Sequence, residues 1–73
     1  MIDMIAVKSS NLKAVGYDEE KRILYVDFLN GTKYQYFDVP RFLFEELLKA
    51  DSKGSYLDRR IKKGPYKYQK IAS

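Results

Sequence analysis

The hydrophobic pattern divides the chain in two. Up to Phe37 the apolar positions alternate with polar ones, the period of a half-buried strand. From Pro40 onward they recur at three and four, the period of an amphipathic helix. Leu12 to Tyr17 forms a first strand-like run, followed by the polar turn Asp18-Glu19-Glu20-Lys21. Ile23 to Phe28 is rich in β-branched and aromatic residues. Asn30-Gly31 marks a hairpin, and Thr32 to Phe37 alternates again as a third strand.

The register of the second hairpin follows from its side-chain partners. A two-residue loop at Asn30-Gly31 sets Val26 against Gln35 and Phe28 against Lys33, mixing apolar and polar residues on one face. A three-residue loop, Leu29-Asn30-Gly31, sets Leu24, Val26 and Phe28 beside Tyr36, Tyr34 and Thr32. It also pairs Asp27 with Lys33 on the other face. A one-residue slip inverts every side chain, so the second register is predicted, with Gly31 left-handed in a bulged turn.

The same alternation places Leu12, Ala14 and Gly16 on the core face of the first hairpin. Val15, Tyr17, Ile23, Tyr25 and Phe37 then lie on the outer face, beside a row of Lys13, Asp27 and Lys33. That face is too apolar to be ordinary solvated surface, so it is either covered or bound.

Pro40 suits a helix start, and Leu43, Phe44, Leu47, Leu48 and Ala50 form one stripe. Phe42 points away from it. A break at Asp51-Ser52-Lys53-Gly54 precedes a second short helix from about Ser55 to Lys63, with Leu57 and Ile61 as its core pair. Gly64-Pro65 ends it. Tyr66 to Ile71 alternates once more as an extended tail. The predicted fold is α+β: a three-stranded antiparallel meander, two short helices and an extended C-terminal segment, one domain over residues 1–73. Tyr34 and Tyr36 fall in the predicted core. Ser9-Ser10-Asn11 reads as a turn whose side chains bond nearby backbone groups.

Composition narrows the chemistry. The 73 residues include no Cys and no His. That excludes Cys/His zinc sites, iron–sulfur and His- or Cys-ligated haem centres, disulfides, and nucleophilic catalysis by Cys or through a His base. No glycine-rich phosphate loop is present. Glu19-Glu20 and Glu45-Glu46 are adjacent pairs that do not converge on a substrate. An enzyme would need a convergent pocket with at least two titratable side chains, and none is legible, so no catalysis, metal or cofactor is expected. The start of the chain lacks a signal-peptide pattern and no apolar run is long enough to span a membrane, which favours a cytoplasmic protein without a membrane partner.

Charge then singles out one region. Residues 1–38 hold five basic and six acidic side chains, whereas residues 39–73 hold nine and four. Within residues 53–73, seven basic residues face only Asp58. Arg59, Lys62, Lys63 and Lys67, together with Tyr66 and Tyr68, form a candidate RNA surface, cations for phosphate and rings for unstacked bases. Transfer RNA and single-stranded RNA are the partners this chemistry suits. The bland alternative is a solvated basic face with its tyrosines in the core. A rival reading uses the outer sheet face, Tyr17, Ile23, Tyr25 and Phe37, for another protein or a second copy.

Short motifs along the whole chain add a resemblance. Ser9-Ser10-Asn11-Leu12, Val15-Gly16-Tyr17-Asp18, Leu24-x-Val26-x-Phe28, Gly31-x-x-Tyr34-x-Tyr36 and Val39-Pro40 occur in that order. Ala50-x-Ser52-x-Gly54-x-Tyr56, Ile61, Tyr66-x-Tyr68 and Ile71 follow. Over about residues 7 to 71 the chain resembles the KTSC domain, named for the extra C-terminal domain of some lysyl-tRNA synthetases and known also as a free-standing protein. The resemblance implies that Tyr34 and Tyr36 are signature residues, and its synthetase context suggests RNA as a ligand. Asp58 departs from the pattern, standing where similar sequences often carry Asn, and an acid there repels phosphate.

Overall fold

The computed structural model describes residues 2–72. Its strands are β1 (Ile5–Ala6), β2 (Leu12–Asp18), β3 (Ile23–Phe28), β4 (Lys33–Tyr36) and β5 (Tyr68–Ala72). Helices α1 (Arg41–Lys49) and α2 (Lys53–Leu57) lie between β4 and β5, and α2 continues as a π-helical stretch over Asp58–Lys62. All five strands form one antiparallel sheet in the order β1-β2-β3-β4-β5. The class is α+β, but the three-stranded meander is extended at both edges. The predicted extended tail is β5. The added β1 is only two residues long and exposed, and alternation has no purchase on so short a run.

The β3–β4 hairpin has the predicted register: Leu24 faces Tyr36, Val26 faces Tyr34 and Asp27 faces Lys33. The Phe28 amide donates to the Thr32 carbonyl at 2.9 Å and the Gly31 amide to the Phe28 carbonyl at 3.1 Å. Gly31 has φ +93°, the left-handed geometry a bulged three-residue loop requires. The Asn30 Oδ1 accepts from the Thr32 amide and hydroxyl, closing the turn. Lys33 and Asp27 are 3.9 Å apart, a long ion pair between an exposed lysine and a half-buried aspartate, of small energetic weight.

The β2–β3 hairpin departs from expectation. A bulge between Leu12 and Ala14 inserts one residue, so Ala14 faces Asp27, Val15 faces Val26 and Tyr17 faces Leu24. Past the bulge every side chain changes face. Val15 and Tyr17 therefore belong to the inner face, and Ala14 and Gly16 to the outer one. The placement of Tyr17 in an outer aromatic face is corrected, as is the place of Lys13 beside Asp27. The Tyr17 ring stacks on Phe44 with centroids 5.4 Å apart, and its hydroxyl donates to the Val39 carbonyl at 2.5 Å.

Ile23 and Tyr25 remain on the outer face, and half-buried Phe37 follows β4, its amide bonded to the Lys67 carbonyl. This face is partly covered by the N-terminal segment, whereas β5 extends the sheet at the edge of β4. A Cβ built on Gly16 would lie 2.7 Å from the Met4 sulfur, 2.8 Å from Ile2 Cγ2 and 2.9 Å from the Asp3 carbonyl oxygen. Only a glycine lets the segment cross so closely.

Both helical segments pack on the inner face. Leu43, Phe44 and Leu47 of α1, with Leu57 and Ile61, meet Leu12, Val15, Leu24, Val26, Tyr36 and Val39 in one buried cluster. The predicted helical stripe and the Leu57–Ile61 pair are thus in place, Leu48 is at the margin, and Phe42 is exposed. The turn at Ser9–Asn11 also forms as expected: the Ser9 hydroxyl oxygen accepts from the Leu12 amide at 3.2 Å and donates to Asn11 Oδ1 at 2.9 Å. Among the described residues, no helix is long and apolar enough to cross a membrane.

Candidate functional site

The helices do not cover the whole inner face. Their buried cluster sits over β2, β3 and the near side of β4, whereas the β5 side stays open. Pairing β5 with β4 puts Tyr68 opposite Tyr36 and Lys70 opposite Tyr34 on that open face. Three tyrosines thereby meet. Tyr34 and Tyr68 have ring centroids 6.0 Å apart, Tyr36 and Tyr68 5.9 Å, and Tyr34 and Tyr36 6.3 Å. Phe28 extends the cluster edge-on to Tyr34 at 5.8 Å.

Exposure falls from the edge inward. Tyr68 keeps 63% of its surface accessible and Tyr36 only 2%, with Tyr34 between them. Tyr68 is thus the accessible ring of the cluster, at its open end.

Lys62 closes the arrangement from the helical side. It is the last residue of the π-helical stretch, where the Lys63 amide reaches back five residues to the Asp58 carbonyl at 3.1 Å. Such wide turns are frequent at functional sites. The Lys62 Nζ lies 5.9 Å from the centre of the Phe28 ring, within cation–π range. Lys62 and the three tyrosines enclose a hollow of about 170 Å³. A second hollow of about 460 Å³ adjoins it, sharing Tyr34 and Lys62 and reaching to Asn11, Asn30 and Thr32.

The Tyr36 phenol in this hollow is a neutral donor. Burial, and then the proximity of Tyr34 and Tyr68, push the Tyr36 hydroxyl up to about 12 from its ordinary 10.0. Its oxygen has no hydrogen-bond partner among the described residues, and no buried polar atom there is orphaned, so it meets solvent in the hollow. The hollow does hold several titratable groups, the condition set above for proton chemistry. A phenol held protonated to about pH 12 is nevertheless a poor base or nucleophile near neutrality.

The residues expected to form the basic, tyrosine-bearing surface are not all together. Lys62 and Tyr68 meet at the hollow. Tyr66 instead packs half-buried against the core cluster. Lys63 pairs with Asp58 at 3.4 Å, and the Arg59 Nε donates to the Ser55 carbonyl at 3.4 Å. Lys67 is exposed just before β5, its carbonyl taking the Phe37 amide. Tyr56 bonds Glu46 through its hydroxyl, and burial, then that bond, raise it to about 12. Sequence reasoning missed Tyr34, Tyr36 and Phe28 as site residues because alternation marks a face as inner, not as covered. The signal lay in the tail: once Tyr68 and Lys70 pair with the third predicted strand, one face carries more tyrosines than two short helices can bury.

The comparisons with known proteins agree with this fold. The KTSC domain profile matches residues 8–71. The crystal structure of a KTSC domain protein from Yersinia pestis superposes with a TM-score of 0.88 at 35% identity, covering 97% of this chain and 99% of that one. An uncharacterized protein of Stutzerimonas stutzeri is 40% identical over 67 residues, spanning 92% of this chain and 94% of its own length. A lysine–tRNA ligase of Nostoc sp. is 36% identical over 69 residues, which are 94% of this chain but 12% of the ligase. With the profile spanning nearly the whole chain and free-standing relatives of the same length, this chain belongs to the KTSC domain family.

Proposed function

We propose that the protein is a non-catalytic, cytoplasmic RNA-binding module that takes single-stranded segments on the open end of its inner sheet face. The observation that carries this reading is the cluster of Tyr34, Tyr36 and Tyr68 under Lys62. Sequence-tolerant binding of single strands needs rings on which bases stack and cations that follow the backbone. Tyr68 offers the accessible ring, and Lys62 and Lys70 flank it with charge. Arg59, Lys63 and Lys67 raise the potential around it without lining the hollow. The similarity to part of a lysine–tRNA ligase is compatible with an RNA ligand.

A salt titration of binding to transfer RNA and to single-stranded RNA tests the proposal. Affinity should fall steeply as salt rises, through release of counterions from the neutralised phosphates. Tyr68→Ala should weaken binding about 5- to 150-fold, the range for loss of one base-stacking ring, while leaving the fold intact. Absence of binding at low ionic strength, or a flat salt dependence, overturns it.

A further inference from the structure

The two adjoining hollows differ in chemistry, and the difference deepens the proposal above, on which this inference rests. The smaller one, about 170 Å³, is walled by three phenol rings. It falls below the roughly 300 Å³ at which ligand pockets usually begin, so it suits one flat ring and not a whole nucleotide. The larger one, about 460 Å³, is polar at its far end.

There two side-chain carbonyls are engaged within the loops themselves. The Asn30 Oδ1 takes the Thr32 amide at 3.0 Å and its hydroxyl at 2.7 Å, and the Asn11 Oδ1 takes the Ser9 hydroxyl at 2.9 Å. Both amides keep the Nδ2 donor, and the Asn11 Oδ1 keeps a second lone pair. The larger hollow is therefore lined by side chains that can hydrogen-bond a ligand, the amides of Asn11 and Asn30 and the hydroxyls of Ser10 and Thr32. Lys62 lies on the boundary between the two hollows, lining both.

The geometry points to a footprint of two consecutive nucleotides of a single RNA strand. One base stacks on Tyr68 beside Tyr34, with the buried Tyr36 at the floor of the hollow. The linking phosphate meets Lys62. The neighbouring nucleotide lies over the loop residues, where Asn11 and Asn30 donate to its oxygens. Longer RNA adds only diffuse attraction from outlying cations such as Lys67 and Arg59.

Equilibrium binding of uridine monophosphate, the dinucleotide UpU and oligouridylates of four and eight residues tests this footprint at fixed ionic strength. Affinity should rise about tenfold or more from the monophosphate to UpU, as a second nucleoside engages beyond the phosphate that both ligands carry, and then by only a few-fold per doubling of length. The variant Asn30→Asp keeps the acceptor that closes the turn but replaces the donor with a negative charge. It should remove most of the gain from monophosphate to UpU, leave the monophosphate within about threefold, and leave the melting temperature unchanged. A smooth rise with length and no step at two nucleotides, or Asn30→Asp binding UpU like the wild type, overturns the footprint while single-strand binding stands. Failure of the octamer to bind overturns both.

Discussion

If the Tyr36 phenol is held neutral by its surroundings, folding stability must register it at high pH. The Tyr36 hydroxyl is raised from 10.0 to about 12, chiefly by burial and then by Tyr34 and Tyr68. In the unfolded chain it ionises near 10. Above that pH the unfolded state loses a proton that the folded state retains. The contribution is therefore fully present below about pH 10 and is lost as pH rises toward 12. At about 1.4 kcal/mol per pH unit, the ceiling is about 2.7 kcal/mol. Because the hydroxyl opens onto a solvent-accessible hollow, screening reduces this to about 1–2 kcal/mol. Urea denaturation of the wild type and Tyr36→Phe at pH 9 and pH 11.5 isolates the effect, since the lysines titrate alike in both. The wild type should lose about 1–2 kcal/mol more than Tyr36→Phe between the two pH values. A difference that stays constant with pH would show that the Tyr36 hydroxyl ionises as freely folded as unfolded, and would refute the description of the cluster.

Two further substitutions probe the corrected topology. Tyr17→Phe removes the donor to the Val39 carbonyl, so it should cost about 0.5–1.5 kcal/mol in denaturant unfolding, whereas an outer-face Tyr17 would make the change neutral. Gly16→Ala sets a methyl group against the Asp3 carbonyl oxygen, which cannot swing aside as Met4 and Ile2 can. It should destabilise the fold by about 1–3 kcal/mol and free the N-terminal segment for proteolysis.

Much of the fold is legible in the chain because local signals agree. Asn30-Gly31 and the alternation on both sides of it fix one register, and the spacing of Leu43, Phe44 and Leu47 fixes one helix face. The first hairpin is harder because Leu12-Lys13-Ala14-Val15-Gly16-Tyr17 supports two phases. Strict alternation chooses Leu12, Ala14 and Gly16. Large residues instead occupy the inner face at Leu12, Val15 and Tyr17, which only an inserted residue permits. A change of phase among the large side chains was the available sign of the bulge.

The candidate site was legible in its residue types but not in its assembly. Lys62 and Tyr68 were singled out from charge and aromatic content, and they do meet. Their partners Tyr34 and Tyr36 come from a strand that alternation alone assigns to the core. Whether an inner-facing tyrosine is covered depends on how far two short helices reach across the sheet, a tertiary quantity that no local period encodes. The same holds for Tyr66: its spacing from Tyr68 suggests a shared surface, yet the turn before β5 carries it onto the core.

Mapping amide shift changes by nuclear magnetic resonance, on adding a short single-stranded RNA at low salt, tests the central claim most directly. The account predicts changes concentrated at Phe28, Tyr34, Lys62, Tyr68 and Lys70, with the outer face silent. Shifts confined to Tyr25, Ile71 and the N-terminal segment, or none at all, would contradict it.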